Sequence, residues 1–187
     1  MPDSRPLRAD AQRNRQAIIA AARTIFDSGE ALRFDDFAGR AGVGVGTLYR
    51  HFETREALAA AVYRGEVSAL IEQSRASTQP PGEVLEAFLR SFVEYVIAHP
   101  GLAQTLSVLV DTATQTEGGN QLEHAIGELM DQAAADGAIH RDASPGPVMV
   151  ILHGISASSR RANWPSDSRA ATELLIAALK VPDHPGP

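Results

Sequence analysis

The side chains best suited to contact another molecule lie between residues 37 and 58. Gly42, Val43 and Gly44 predict a tight turn between two short helices, the second of which spans about 45–52. Leu48 and Phe52 are four residues apart and therefore share one face of that second helix, which can pack on its neighbours. The other positions carry short, aromatic or cationic side chains that suit phosphates and base edges: Gly46, Thr47, Tyr49, Arg50 and His51. This arrangement indicates a helix that enters the major groove of DNA.

The same segment resembles the DNA-binding domain of the tetracycline-repressor (TetR) family of transcriptional regulators, over residues from about 13 to 63. The matching positions are Phe37-Ala38, Ala41-Gly42-Val43, Gly46-Thr47-Leu48-Tyr49, His51-Phe52 and Leu58. The resemblance implies that Thr47, Tyr49 and His51 contact the DNA backbone. It also implies that Val45, Gly46 and Arg50 face the bases. For Arg50 we expect paired hydrogen bonds to a guanine edge, with a phosphate contact or an ion pair to a nearby acid as the alternative.

Three positions depart from the pattern of the family. Gly44 stands where a serine often caps the second helix, a change that costs about a few tenths of a kcal/mol. Arg33 replaces a hydroxyl residue that would cap the preceding helix, so we expect a longer, cationic contact to phosphate there. Arg55 replaces the usual lysine and keeps the positive charge with a different geometry. Because Arg55 begins a helix, the dipole of that helix would add to its attraction for phosphate.

The composition favours a folded protein with an uneven charge distribution. Hydrophobic residues make up 44% of the 187 residues, and cysteine is absent. The first residues lack an apolar signal segment, and no apolar run approaches the ~20 residues that span a bilayer, so we expect a cytoplasmic protein. Residues 1–64 hold ten arginines against eight acidic residues, whereas residues 65–187 hold seven basic against fifteen acidic residues. Positive charge thus accompanies the DNA-binding motif, unless it is ordinary scatter of surface charge.

Apolar periodicity predicts an all-α fold of nine helices without a strand. We expect an N-terminal three-helix helix-turn-helix domain over 1–53, with an arm at 1–12, and a larger C-terminal helical domain over 54–187. A helix at 54–74, capped by Thr54, links the two domains. The other long helices are predicted at 13–27, 83–98, 102–115, 121–135, 147–162 and from a cap at Ser166 or Asp167 to about 179.

One recognition helix contacts too few base pairs to distinguish an operator from a genome of competing sites. A twofold dimer would place two such helices roughly 34 Å apart, on an inverted-repeat DNA operator. The helices at 147–162 and 167–179 combine apolar and small side chains, and the resemblance implies that both pack against their copies in a homodimer. The alternative is that these faces complete the core of one monomer.

The resemblance further implies that the C-terminal domain binds a small apolar ligand. Ligand binding would tilt the helix at 54–74 and weaken operator affinity, which predicts a ligand-released repressor. The candidates to line an apolar cavity are Phe88, Phe92, Tyr95, Leu106, Leu109, Met130, Met149, His153 and Trp164. Each of these residues is alternatively a plain core residue.

Two other functions fit parts of the sequence. A helical interaction module with a vestigial DNA-binding head would act through protein partners. An all-α enzyme has little support, because the glycines at 42, 44 and 46 lack the spacing of a dinucleotide fingerprint or a P-loop. The histidines at 99, 124, 140 and 153 also lack metal-ligand spacing. We therefore expect no catalytic residue, no metal and no cofactor.

Overall fold

The computed structural model describes residues 5–28, 30, 32–101 and 120–181. These residues confirm the expected all-α fold, and the extended pairing among them is an isolated antiparallel bridge between Ile139 and Lys180. The helices are α1 (Arg5–Ser28), α2 (Asp36–Arg40), α3 (Val45–His51), α4 (Arg55–Arg75), α5 (Pro81–Ala98), α6 (Asn120–Ala135), α7 (Pro145–Ala157) and α8 (Trp164–Leu179). Within the described residues, no helix has both the length and the apolar character needed to cross a membrane. The helix predicted at 102–115, with Leu106 and Leu109, lies outside the described residues.

A small apolar core holds the N-terminal helices together. We call α1, α2, α3 and the part of α4 up to Val62 the head. An apolar stripe on α1 is buried there, with Ile18, Ala22 and Ile25 each at most 1% exposed. The other large members of this core are Phe26, Phe37, Leu48, Phe52 and Leu58. These contacts fix the orientation of the two short helices α2 and α3.

A second core fills the regulatory domain, as we call the described residues from Tyr63 onward. Its central helix is α5, and α4, α6, α7 and α8 pack around it. The buried residues of α5 are Gly82, Val84, Leu85, Phe88, Leu89, Phe92, Val93 and Val96. The helix α4 belongs to both cores, because Leu58 lies in the head core while Val67 and Ile71 lie in the regulatory core. It therefore connects the two domains mechanically.

The start of α1 differs from the prediction. Residues 5–12 were expected to form an arm, but the helix begins at Arg5 and continues without interruption to Ser28. A proline is tolerated in a first helical turn, and Pro6 occupies that turn. The following leucine, arginine, alanine and glutamine residues are good helix formers. The segment is thus two further turns of α1.

Two boundaries near the C-terminal end of the chain were also predicted wrongly. The helix α7 ends at Ala157 and not near 162, because the hydroxyls of Ser156 and Ser158 donate to carbonyls one turn earlier and compete with the backbone. The helix α8 is capped at Asn163 and not at Ser166 or Asp167. Its early start is allowed because Pro165 falls in the first turn, where no backbone N–H is needed.

Candidate nucleic-acid interface

The turn between α2 and α3 depends on one glycine. Gly42 has a φ of +67°, a left-handed conformation that residues with a side chain rarely adopt. Its N–H donates to the Gly39 carbonyl at 3.2 Å, and the N–H of Val43 donates to the Ala38 carbonyl at 3.0 Å. These two bonds close α2 in the geometry of a Schellman motif. The chain is thereby turned sharply into α3.

The helix α3 begins as the sequence predicts. Gly44 is its N-cap in an extended conformation, with φ −74° and ψ 151°. The Gly44 carbonyl accepts from the backbone N–H of Thr47 at 2.8 Å and of Leu48 at 3.1 Å. A serine cap would have added a side-chain bond that glycine lacks, but the backbone bonds suffice to start the helix.

One face of α3 is anchored and its outer face is open to solvent. Leu48 is fully buried and Phe52, just after the helix, is 4% exposed. On the outer face, Val45 is 45% exposed and Tyr49 is 46% exposed. Gly46 and Arg50 are exposed as well, whereas Thr47 and His51 are half-buried at the sides of the helix. The structure therefore brings these six predicted DNA-contacting residues onto one protruding short helix.

Two polar side chains on this face are held by hydrogen bonds. The guanidinium of Arg50 donates to Oγ1 of Thr47 at 2.9 Å, one turn away on the same helix. The hydroxyl of Tyr49 donates to Oδ1 of Asp35 at 2.9 Å, and its ring lies edge-on to Phe34 at 5.3 Å between centroids. The hydrogen bond to Asp35 raises the pKa of Tyr49 above its ordinary value. The phenol is thus neutral at physiological pH and fixed against the start of α2.

Arg55 lies elsewhere than expected. Its Nη1 donates to the Leu32 carbonyl at 2.7 Å, and its guanidinium carbon is 5.3 Å from the ring centre of Phe26 and 5.2 Å from that of Phe37. The guanidinium therefore makes its hydrogen bond and both ring contacts with residues of the head. The helix N-terminus at this position does form as expected, because Oγ1 of Thr54 accepts from the N–H of Ala57 at 3.1 Å.

Arg33 is exposed, as a phosphate contact requires. Its backbone N–H donates to Oδ2 of Asp36 at 2.9 Å, so the side chain of Asp36 orders the entry to α2. Asp35 and Asp36 were both missed as site residues by sequence reasoning. The only sequence signal for them is a pair of acids at the start of a short helix.

Known proteins share both parts of this architecture. A family model described as "Bacterial regulatory proteins, tetR family" matches residues 18–62, and one described as "Transcriptional regulator SbtR-like, C-terminal domain" matches residues 80–181. The TetR transcriptional regulator SCO0520 from Streptomyces coelicolor is 34% identical, with 91% of this chain and 99% of that chain covered and a TM-score of 0.65. This chain belongs to the TetR family of transcriptional regulators.

Two further likenesses are partial. The HTH-type transcriptional regulator SAR0097 from Staphylococcus aureus (strain MRSA252) is 37% identical over 71 residues, which cover 36% of this chain and 37% of that protein. The chain thus spans little more than a third of that curated relative. Thermus thermophilus FadR, described as a TetR-family transcriptional repressor in complex with lauroyl-CoA, is 19% identical with a TM-score of 0.64 over 92% of this chain and 98% of that one. At this identity the likeness shows a shared fold.

In the regulatory domain of this TetR-family chain, most of the predicted ligand contacts are core residues. Phe88, Phe92, Met130, Met149 and Trp164 are each at most 6% exposed. The indole N–H of Trp164 donates to the Ile155 carbonyl at 2.6 Å, which is a structural contact. His153 was placed wrongly in the interior by the prediction, because it lies exposed on the outer side of α7.

A cleft of about 400 Å³ opens where α4 ends and α5 begins. It overlaps the predicted ligand set at one residue, Phe88. Its lining is uncharged and combines apolar side chains with amides and hydroxyls: Leu70, Gln73, Ser74, Ala76, Ser77, Gln79, Val84, Ala87, Phe88 and Ser91. Sequence reasoning did not predict this cleft, whose lining comes from the end of α4, the loop that follows it and the first turns of α5.

The helices α7 and α8 each have one buried and one exposed apolar side. Val148, Met149 and Leu152 of α7 lie in the regulatory core. On the outer side, Val150 is 71% exposed and Leu174 of α8 is 72% exposed. Small exposed residues continue this outer stripe: Gly154 and Ala157 on α7, and Ala170, Ala177 and Ala178 on α8. One side of each helix therefore completes the core of the monomer, while the other side remains exposed.

Proposed function

We propose that this chain is a homodimeric repressor that recognises an inverted-repeat operator through α3 of each protomer. The observation that carries the proposal is the outer face of α3, where Val45, Tyr49 and Arg50 protrude from a helix anchored by Leu48 and Phe52. Such a helix fits the major groove and can present its side chains to base edges. A regulator of this kind acts where chromosomal DNA lies, in the cytoplasm.

Within this proposal, the length and position of each side chain on α3 decide whether it contacts bases or phosphates. Arg50 is exposed and its long side chain stands in the middle of the face, so it donates to a guanine edge. Val45 and Gly46, in the first turn, lie close to the bases because they are short. Thr47, Tyr49 and His51 flank this line and position the head on phosphates.

Two cationic residues around α3 have different parts in the proposal. Arg33 reaches a phosphate as a flexible cation outside the helix. Arg55 contributes through the N-terminal dipole of α4 and by ordering the head, since its guanidinium is directed at Leu32, Phe26 and Phe37.

The outer stripe on α7 and α8 supports the dimer. Leu174 is 72% exposed in a lone protomer, and burial of this apolar side chain by a second copy would be favourable. Two copies of the stripe related by a twofold axis form a four-helix contact, in which the small residues allow close approach. The two heads then face the same side of a DNA duplex.

The cleft beside α4 supports regulation by a small molecule. Because its lining carries no charged side chain, we propose an uncharged, largely apolar ligand with one or two hydrogen-bonding groups. Leu70, Gln73 and Ser74 belong to the C-terminal part of α4, whose other end lies in the head core. A ligand wedged between α4 and α5 would tilt α4 and change the spacing of the heads. The lauroyl-CoA complex of the Thermus protein supports the presence of a ligand site in this fold, not the same ligand.

Fluorescence anisotropy with labelled DNA from around the gene of this protein tests the proposal. We expect one fragment to bind specifically, at two protomers per site, with an affinity that falls steeply as salt rises. A protein-interaction module or an enzyme would show no preference among fragments. A purified chain that remains monomeric and binds every fragment alike would contradict the proposal.

The ligand part is tested separately by adding uncharged apolar compounds to the protein–operator complex. We expect at least one compound to release the operator, and we expect Ala87→Trp, which fills the cleft, to abolish that release. Ala87 is exposed at the cleft, so the larger side chain is accommodated without disturbing the core. Release by the same compound from this variant would place the ligand outside the cleft.

A further inference from the structure

The end of α5 touches the end of α1, and this is a second contact between the domains besides α4. Nε2 of His99 lies 3.1 Å from Oδ1 of Asp27, which is the penultimate residue of α1. Nδ1 of His99 lies 2.6 Å from the carbonyl oxygen of Tyr95. Each of the two ring nitrogens therefore faces an oxygen atom, one in the head and one in α5 itself. The imidazole thus joins the regulatory domain to the head.

The backbone reinforces this contact two residues later. A Cβ placed on Gly101 would lie 2.9 Å from the carbonyl oxygen of Phe26, which is closer than real Cβ contacts. Phe26 is itself 1% exposed in the head core. The corner after α5 is therefore pressed against α1 at a distance that only a glycine permits without a shift of the backbone.

Tyr95 fills the space behind His99. Its ring centre is 4.3 Å from that of His99, and the side chain packs against both cores. Its hydroxyl is buried and has no hydrogen-bond partner among the described residues. Burial raises the pKa of this hydroxyl well above its ordinary value. Beside it, Arg23 of α1 pairs with Glu66 of α4 at 2.9 Å.

At its other side, α5 is fastened to α8. Arg90 donates to both carboxylate oxygens of Glu173 at 2.7 and 2.9 Å, and Arg169 donates to both oxygens of Glu94 at 2.6 and 2.8 Å. The hydrogen bonds to the arginines lower the pKa of both glutamates. Two parallel forks resist sliding between the helices better than single contacts do. The helix α5 therefore connects α8, at the proposed dimer interface, to α1 in the head.

We propose that Asp27, His99 and Gly101 are positioning residues for operator binding. They form an interdomain clasp that fixes the angle between the head and the regulatory domain, and thereby the distance between the two α3 helices of a dimer. The consequence for operator spacing rests on the proposed function, whereas the clasp itself is a property of each protomer.

The angle between the head and the regulatory domain is measured first, on protein without DNA. The chain has no cysteine, so the double variant Gln16→Cys and Gln132→Cys carries one spin label on α1 and one on α6. Labelled protein is diluted with unlabelled protein, and the intrachain distance is measured by pulsed electron paramagnetic resonance. We expect His99→Phe, which keeps the ring and removes both nitrogens, and Gly101→Ala to shift or broaden the distance distribution. Gly127→Ala is the control, because its Cβ would meet Pro145 at an ordinary 3.8 Å.

The effect of the clasp on operator binding is measured as a preference for half-site spacing. The operators used have half-sites moved apart or together by one base pair. We expect the unmodified protein to prefer the natural spacing about tenfold, and Gly101→Ala to reduce that preference to about threefold or less. The number of phosphate contacts, read from the salt dependence, should stay the same. A merely structural role would lower the melting temperature and leave the spacing preference unchanged.

The outcomes separate the two proposals. Unchanged distance distributions in both variants, with native melting, overturn the clasp even if operator binding is confirmed. If the variants alter the distance distribution and the unmodified protein binds no operator, the clasp is supported and the proposed function is contradicted. If His99→Phe fails to fold, Gly101→Ala alone decides, since its added methyl group lies at the contact itself.

Discussion

Arg50 and Arg55 are five residues apart in the head, and their surroundings give them different roles. Arg50 is exposed on α3 and makes one hydrogen bond, to Thr47 of the same helix. Arg55 lies over the rings of Phe26 and Phe37 and donates to the Leu32 carbonyl. Exchanging a single intrahelical bond for a guanine edge costs little, whereas withdrawing Arg55 would disrupt the head. The first guanidinium is exposed, whereas the second is held by contacts within the head.

We predict that Arg50→Ala relaxes operator selectivity. A bidentate contact to guanine contributes about 1–3 kcal/mol of discrimination, so the preference at one base pair of each half-site should fall by that amount. Selection from randomised half-sites, before and after the substitution, measures this preference. Arg40→Ala is the matched control, because Arg40 is an exposed arginine of the head that pairs with Glu30. An unchanged preference in the Arg50 variant would remove it from base recognition.

Arg55→Lys should destabilise the head, although it keeps the charge. A lysine ammonium is not planar, so it can neither stack on the two rings nor donate the same directed hydrogen bond. The loss of the cation–π and hydrogen-bond contributions corresponds to about 1–2 kcal/mol. Thermal unfolding followed by circular dichroism measures the change. A variant that melts like the unmodified protein yet binds DNA more weakly would instead favour the direct phosphate contact.

The candidate site was predictable where it depends on helical periodicity. Spacing alone assigned Leu48 and Phe52 to the inner face of α3 and left the residues that we propose to contact DNA for its other faces. Spacing could not reveal that Asp35 accepts from Tyr49, or that the guanidinium of Arg55 lies over the rings of Phe26 and Phe37. Both contacts depend on the distance between elements that are far apart in the sequence, which is set by packing of the whole head.

At the scale of elements, close contact between α5 and its neighbours depends on two small residues. Gly82 is buried in the first turn of α5, and a Cβ there would lie 2.6 Å from Cβ of Ala138. Neither atom can rotate away, since both are attached directly to the backbone. The N-terminal end of α5 is thus packed without spare volume.

We therefore predict that Gly82→Ala destabilises the regulatory domain. Overpacking of this kind costs about 1–3 kcal/mol, although alanine is the better helix former. Gly65→Ala is the opposite case: it lies in α4, and a Cβ there meets nothing within 4 Å. It should stabilise α4 by up to about 1 kcal/mol. Chemical denaturation measures both changes, and a stabilised Gly82 variant would show that the contact with Ala138 yields.

The presence of a helix was easier to predict than the residues at which it begins and ends. Long amphipathic stripes such as that of α1 recur over several turns, so one unusual residue does not hide them. Ends depend on single caps, and here Ser156 and Ser158 stopped α7 early while Pro165 allowed α8 to begin early. The cleft at the end of α4 was missed because the loop between α4 and α5 brings residues of both helices together around it, and the sequence does not determine the path of that loop.

At the scale of the whole molecule, charge and apolar surface are segregated. The net positive charge falls in residues 1–64 and the acidic excess in residues 65–187. Approach to DNA therefore favours the head first, since the regulatory domain is repelled. The exposed apolar stripe lies on α7 and α8, in the acidic part of the chain, where it is available to a second copy.

We predict that Leu174→Glu separates the protomers without unfolding them. Leu174 is 72% exposed in the protomer, so a glutamate there costs the isolated chain little. In a twofold contact the same change places two like charges in an apolar interface, which is strongly unfavourable. Sedimentation should show a monomer with normal helical content. Operator affinity should fall by about a hundredfold or more, because one head cannot bind both half-sites.

Gln132→Glu provides the control, since it adds the same charge on an exposed position of α6 away from the stripe. It should remain dimeric and bind the operator normally, which separates the effect of position from that of net charge. If the Leu174 variant stays dimeric with unchanged operator affinity, the protomers associate through another surface. The clasp at Asp27 and His99 would then transmit the geometry of that other contact to the heads, because it belongs to each protomer by itself.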